Sequence, residues 1–171
     1  MRRSKSMTAS ALALAAAWMS LTASQAQGAT LTVKAGESIQ AAVKRALPGD
    51  RIEVEPGLYK ETVFIDKDGI ELSGIVRGGQ WPVLDGENKL NDGVLVSGHG
   101  VTIERLWVKR YKGNGIMTQG SNNYRIAYNV VEGPCFYAIF PQFGKNGLVT
   151  HNVAFGSEDA DVHVVAQERR G

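Results

Sequence analysis

The sequence predicts an all-β chain folded as a stacked parallel β-helix, with one short strand per sheet in each turn and about five rungs. Three observations carry this expectation. The second half repeats every 23 residues, the repeat keeps β-branched apolar columns in phase, and a single amphipathic helix precedes the first regular turn.

The repeat is visible when HGVTIERLWVKRYKGNGIMTQGS (99–121), NNYRIAYNVVEGPCFYAIFPQFG (122–144) and KNGLVTHNVAFGSEDADVHVVAQ (145–167) are written one above another. They align without gaps. Apolar columns appear at Ile103/Ile126/Val149, Trp107/Val130/Val153 and Ile116/Ile139/Val162, and a fourth column is Leu106/Asn129/Asn152. The apolar groups are short, β-branched and separated by Gly and Asn, and no window sustains a 3.6-residue period, which argues against helical repeats. Three short strands joined by turns fill 23 residues as one rung, with rungs about 4.8 Å apart. The apolar columns are then expected to stack inside the coil. Asn129 and Asn152 are expected at a strand corner, in a left-handed backbone and hydrogen-bonded along the stack.

The first half is less regular. Short strands are expected at Leu31–Val33, Arg51–Val54, Thr62–Ile65 and Ile70–Leu72. Between the first two, Ser38 is an N-cap candidate, and Ile39, Ala42, Val43 and Ala46 share one helical face. Pro48-Gly49-Asp50 ends that helix. A helix placed there would cover the open end of the stack and protect its edge.

Residues 1–26 read as a secretory signal peptide. Arg2, Arg3 and Lys5 precede the short apolar run ALALAAAWMSL (11–21), and Ser24-Gln25-Ala26 has cleavage-site spacing. The run is too short to span a membrane. The expected localisation is the periplasm or the exterior. Removing this segment takes away three of the 19 Lys and Arg and none of the 17 Asp and Glu, leaving a net charge of −1 on residues 27–171. Such a chain has no global basic field to attract nucleic acid or anionic membrane. Cys135 is the single cysteine, so no intrachain disulfide is available, and it reads as a small core residue.

GESIQAAVKRALPGDRIEVEPGLYKETVFIDKDGIELSG closely resembles the opening of exported right-handed parallel β-helix proteins of the pectin-lyase-like superfamily. WPVLDG (81–86), YAIFPQ (137–142) and NGLVTHNVAFG resemble such proteins as well. The group includes polysaccharide lyases, uronan epimerases and periplasmic accessory proteins of nitrous oxide reductase maturation. The resemblance covers essentially all of residues 27–171 and implies a right-handed coil. In the enzymes it also implies a substrate cleft along the strand that follows the longer turn. Because the superfamily holds enzymes and non-enzymes, the resemblance speaks to fold more than to chemistry.

On that frame GSEDADVHV (156–164) falls where a cleft would lie. Strand alternation sends Ile116, Ile139 and Val162 inward, with Thr118, Pro141 and Val164. It sends Gly115, Ala138 and Asp161 outward, with Met117, Phe140 and His163. Asp161 and His163 are thus candidate catalytic residues, His163 as a base at the C5 proton of a uronate and Asp161 to orient it. Glu158, Asp159 and Asp161 are candidate oxygen ligands for Ca²⁺. The bland alternative is a solvated turn followed by a polar strand face. The KRYK turn supplies a second set: Lys109, Arg110, Tyr111 and Lys112 as an anionic-glycan site, with Tyr111, Tyr137 and Phe140 as stacking surfaces. His99 and His151 read as surface residues, and three scattered histidines give no zinc or copper spacing. Two motifs of relatives are missing: the Asp-rich paired-rung motif of pectin hydrolases and an Asp-Pro-His-Asp motif of alginate epimerases.

After Val162-His163-Val164-Val165, AQERRG offers no cap for the last rung, so a C-terminally truncated coil with self-association through that rung is expected. The functional expectation is recognition, and processing if catalytic, of an extracytoplasmic acidic polysaccharide by a lyase or epimerase. The alternatives are a non-catalytic accessory or scaffold β-helix and an inactive fragment.

Overall fold

The computed structural model describes residues 28–134, 136–163 and 165–166. Residues 1–27, which include the expected signal peptide, lie outside the described residues, as do Cys135, Val164 and the terminal QERRG. In chain order the elements are β1 (Thr30–Val33), α1 (Ile39–Arg45), β2 (Arg51–Val54), β3 (Gly57–Tyr59), β4 (Val63–Ile65), β5 (Glu71–Gly74), β6 (Pro82–Asp85), β7 (Val94–Val96) and β8 (Thr102–Glu104). Then follow β9 (Trp107–Lys109), β10 (Ile116–Gln119), β11 (Arg125–Ala127), β12 (Val130–Glu132), β13 (Tyr137–Gly144), β14 (Leu148–Thr150), β15 (Val153–Phe155), β16 (Ala160–Val162) and β17 (Val165–Ala166).

These strands form three parallel sheets that wrap one core. Sheet A runs β1-β2-β5-β8-β11-β14, sheet B runs β3-β6-β9-β12-β15, and sheet C runs β4-β7-β10-β13-β16. Each three-strand turn visits A, B and C in that order. Five such turns follow β1, which adds a sixth strand to sheet A, and α1 stands where the first turn would have continued. The fold is therefore the predicted all-β coil with a capping helix.

The 23-residue repeat is the register itself. Ile103, Ile126 and Val149 pair in sheet A, Trp107, Val130 and Val153 in sheet B, and Ile116, Ile139 and Val162 in sheet C. The first half keeps the same pairing with different spacings: Arg51 pairs Glu71, 20 residues on, and Glu71 pairs Thr102, 31 residues on. Strands set the register, and the corners absorb the difference in length. That is why the early turns do not show as a repeat.

The core is a stack of small and branched side chains. Ile52, Leu72, Ile103 and Ile126 line sheet A, and Val94, Ile116 and Ile139 line sheet C, each fully buried. On sheet B the inward residues are Leu84, Val108 and Val131. Two expectations of direction are corrected here. Trp107, Val130 and Val153 face outward, and Val153 is 56% exposed. Leu106 and Asn129 are the buried corner residues before them, and alternation then sends the next residue out. Gly115 and Ala138 are buried rather than outward, because they sit at the entrance to sheet C against Val131.

The corner between sheets A and B is two residues long in the last three turns. Its first residue takes the left-handed backbone: Arg105, Tyr128 and His151 have φ of 56°, 58° and 53°. The left-handed position is thus one residue before the asparagines, not at them. The asparagines supply the expected ladder. Asn129 Oδ1 accepts from the Leu106 N–H at 3.1 Å, and Asn129 Nδ2 donates to the Ile103 carbonyl at 3.0 Å. Asn152 repeats this one turn on, with Oδ1 accepting from the Asn129 N–H at 2.9 Å and Nδ2 donating to the Ile126 carbonyl at 2.9 Å. Buried corner amides are thereby satisfied by side chains.

Helix α1 is short, and its ends are fastened by the first full turn. Ser38 caps it as predicted, its Oγ accepting from the Ala41 N–H at 3.1 Å. Glu61 reaches across to accept from the Ile39 and Gln40 N–H groups at 2.8 and 3.1 Å. Lys67 Nζ donates to the Val43 and Lys44 carbonyls at 2.6 and 2.9 Å. A carboxylate at the N-terminus and an ammonium at the C-terminus satisfy orphan groups at both ends. Ile39, Ala42, Val43 and Ala46 form the predicted buried face.

Replacing Asn129, which is 1% exposed, leaves the Leu106 N–H buried without its acceptor and removes a hydrogen bond to the Ile103 carbonyl. Asn129→Ala is expected to cost about 1–3 kcal/mol of stability, read as a lower urea midpoint with an unchanged slope.

Candidate functional site

The three sheets present different outer faces. Sheet A is ionic. Arg51 pairs with Glu53 and Glu71, and Arg105 and Arg125 both pair with Glu104. These pairs occupy the outward positions of four adjacent strands, and their groups are engaged with one another. Above them Tyr128 and His151 stack with ring centroids 5.0 Å apart, continuing the outward column that begins at Arg105. His99 is exposed and ties turns together: its Nδ1 accepts from the Asn122 N–H at 3.1 Å.

Sheet C carries the candidate site. Phe64, Leu95, Met117 and Phe140 occupy one outward column. His163 follows Phe140 on the next turn, where its N–H donates to the Ile139 carbonyl at 2.9 Å. Tyr137, Phe140 and His163 form one aromatic cluster. Centroid separations are 4.5 Å for Tyr137–Phe140, 4.7 Å for Tyr137–His163 and 5.4 Å for Phe140–His163. The tilted and edge-on packing is the arrangement aromatic quadrupoles favour. Tyr137 also hydrogen-bonds the Asp159 carboxylate, which holds the phenol above its usual value, with partial burial and the Asp159 charge adding to the effect.

Of the residues singled out in the sequence, Tyr137, Phe140, Asp159 and His163 come together. The others do not. Asp161 accepts from Ser157 Oγ at 2.7 Å, an Asx-type lock on its own turn, and among the described residues it is not bonded to His163. Glu158, Asp159 and Asp161 do not converge: among the described residues no group of three or more His, Cys, Asp or Glu is placed to hold a metal ion. The expected Ca²⁺ ligand set is therefore not assembled. Neighbours along an extended strand point apart, and Tyr137 and Ser157 draw two of these carboxylates to different places.

The KRYK turn is also corrected. Tyr111 is fully buried, not a stacking surface. Its hydroxyl donates to the Glu61 carbonyl at 2.6 Å, and burial pushes its phenol well above the ordinary range. Gly86 and Gly93 leave room for the ring, since a Cβ there would meet it at 2.7 and 3.1 Å. Arg110, with φ of 55°, turns its guanidinium onto buried Asp85, Nε donating to Oδ1 at 2.9 Å and a second nitrogen to Oδ2. Lys109 lies on sheet B, its ammonium 5.4 Å from the centroid of the Trp107 ring. Lys112, like Arg110, is exposed.

The sequence reading missed Asp92 and Asn114. Asn114 lies one turn below Tyr137 in register. Its N–H and Nδ2 both donate to Asp92 Oδ1, at 2.8 and 2.9 Å, and its Oδ1 is buried without a partner. A signal was present. Asn91-Asp92-Gly93 and Gly113-Asn114-Gly115 each put a polar residue before a glycine at the start of a sheet C strand. The cluster thus continues downward as a polar edge beside Met117, which is 3.5 Å from Asn114 Nδ2.

No protein-family model matches the sequence, and no curated protein does either. Among solved structures, a pectin methylesterase variant in complex with a hexasaccharide is similar, with a TM-score of 0.53 and 12% identity. The match covers 71% of this chain and 48% of that one, so this chain spans about half the length of that enzyme. The likeness is one of fold, a parallel β-helix with three sheets. Among the described residues no helix is long and apolar enough to cross a membrane.

Two measurements check this geometry. Asp159→Asn removes the charge that the Tyr137 phenol faces, so Tyr137 is expected to ionise at lower pH than in the native chain, read as a difference in tyrosinate absorbance during alkaline titration. The second concerns Asp85. Burial opposes its ionisation, but the Arg110 and Glu87 hydrogen bonds and the Arg110 charge outweigh it and hold the carboxyl below its usual value. A depressed carboxylate stabilises fully above its unfolded value of about 3.9, and that contribution is lost as pH falls through the folded value. Asp85→Asn is expected to lower the urea midpoint at pH 7, with the gap to the native chain closing below about pH 4.

Proposed function

We propose that this chain is exported and recognises an extracytoplasmic polysaccharide along the outer face of sheet C. The observation that carries the reading is the half-buried Tyr137–Phe140–His163 cluster on that face, with Met117 and the Asp92–Asn114 pair beside it. Aromatic side chains offer an apolar face to the C–H surface of a sugar ring, while hydroxyl, imidazole, amide and carboxylate groups nearby accept and donate hydrogen bonds. A surface open along the coil axis suits a polymer. The likeness to a pectin methylesterase solved with a hexasaccharide supports the same reading, and the basic, apolar run at residues 1–21 supports export.

Charge narrows the ligand. Arg110 is committed to Asp85 and Lys109 lies beside Trp107, so of the three KRYK cations Lys112 alone is left to this side of the coil. Asp92, Asp159 and Asp161 edge the cluster. A neutral polysaccharide meets no penalty there, whereas a polyuronate is repelled unless divalent cations screen the carboxylates. Elimination from a uronate would further need a base and a cation on the same sugar. His163 packs against two rings, and Asp161 is engaged by Ser157. The arrangement therefore favours recognition over turnover.

The test is calorimetric binding of neutral and polyuronate hexasaccharides, with and without Ca²⁺, while unsaturated product is followed by absorbance. Neutral sugars are expected to bind regardless of Ca²⁺ and the polyuronate only with it. Tyr137→Ala and Phe140→Ala should each weaken binding about tenfold. Product formation abolished by His163→Ala would replace recognition with lyase activity, and binding unaffected by both aromatic variants would refute the site.

A further inference from the structure

A second feature lies on sheet B, where the coil departs from its own pattern. The corner from sheet A to sheet B takes two residues in four of the five turns but seven between β5 and β6, residues 75–81. The extra residues form a built hairpin rather than a slack loop. The Arg77 N–H donates to the Gln80 carbonyl at 3.1 Å, and the Gln80 N–H donates to the Arg77 carbonyl at 2.9 Å. Gly78 and Gly79 between them have φ of 56° and 79°, the pair of left-handed values that a type I′ turn requires. This hairpin delivers Gln80 and Trp81 to the edge of the outward column Leu58–Val83–Trp107–Val130–Val153.

Between hairpin and column lies an open groove of about 450 Å³, lined chiefly by Pro56, Leu58, Gln80, Trp81, Val83 and Trp107. That volume is within the range of small-molecule sites. The Trp107 indole is fixed before any ligand arrives: its Nε1–H donates to Glu132 Oε2 at 3.0 Å, and the Lys109 ammonium lies 5.4 Å from its centroid. No charged side chain lines the groove. The charges nearby are matched, Arg77 with Glu55 at 3.6 Å and Lys109 beside Glu132 in register. The groove thus joins two indoles to an amide, with no net charge to draw an ion.

We propose that this groove is a second glycan site, which takes one neutral sugar residue stacked on an indole with its hydroxyls toward Gln80. It lies on a different sheet from the Tyr137 cluster and stands or falls independently of it. Fixed aromatic surface lowers the ordering cost of binding. The matched charges explain why the ligand is neutral, and the amide explains why it is a polyol rather than a hydrocarbon.

Trp81 and Trp107 are the tryptophans beyond residue 26; the third is Trp18. In the full chain carrying Trp18→Phe, intrinsic emission therefore reports this groove. Titration with cellohexaose, xylohexaose and mannohexaose is expected to give a saturable emission change with at least one. Calorimetry should then show about tenfold weaker binding for Trp81→Ala and for Trp107→Leu, with emission of the remaining groove unchanged by Tyr137→Ala. Leucine at 107 keeps an aliphatic residue in a column that holds valine on either side, so the coil is retained, as circular dichroism would verify. The proposal is overturned if none of the three sugars shifts emission. It is also overturned if sedimentation shows a self-associated chain that Trp107→Leu dissociates, because the groove is then the seat of a second copy.

Discussion

The parallel register of the coil depends on the corner between sheets A and B. A left-handed residue makes the turn, and the asparagine after it donates and accepts along the stack. Without those side chains the buried corner N–H groups of Leu106 and Asn129 would lose their acceptors. The ladder also fixes spacing. An asparagine that must reach the N–H one turn below and a carbonyl behind it tolerates no slip of one residue. A slip would turn every inward side chain outward.

From that corner the rest follows as alternation. Leu106 and Asn129 are inward, so Trp107 and Val130 are outward, and Val108 and Val131 fill the core. The outer surfaces then differ by sheet. Sheet A neutralises its charges within itself through Arg51, Glu71, Glu104 and Arg125. Sheets B and C leave aromatic groups outside, Trp107 on one and Tyr137 with Phe140 on the other. The coil thus has one ionic face and two that carry aromatic groups.

The capping helix shows the same economy of partners. Seven residues are too few to hold a helix by propensity alone. Glu61 and Lys67, six residues apart on either side of β4, hold its two ends, and Gln40 exchanges hydrogen bonds with the Phe64 backbone between them. The helix is therefore an extension of the first turn rather than an independent cap. The end of the stack and the start of sheet C are stabilised by the same residues.

The sequence by itself determined the coil. A gapless 23-residue repeat of branched residues, with Ser38 and one apolar helical face ahead of it, left little else that would bury those columns. It also placed Phe140 and His163 in one outward column, because a repeat aligned in sequence is a register in space; that Tyr137 packs on both was decided by the fold. What it left undecided was direction and partnership. The columns at 107 and 108 are equally apolar, and the buried corner residue, not hydropathy, decides which faces the core. Nor does charge in a turn reveal its partner. Arg110 looked free until Asp85, 25 residues earlier, was brought beneath it, and Tyr111 looked exposed until Gly86 and Gly93 opened space for its ring. Those contacts join turns whose spacing in the first half follows no repeat, so only the folded coil assigns them.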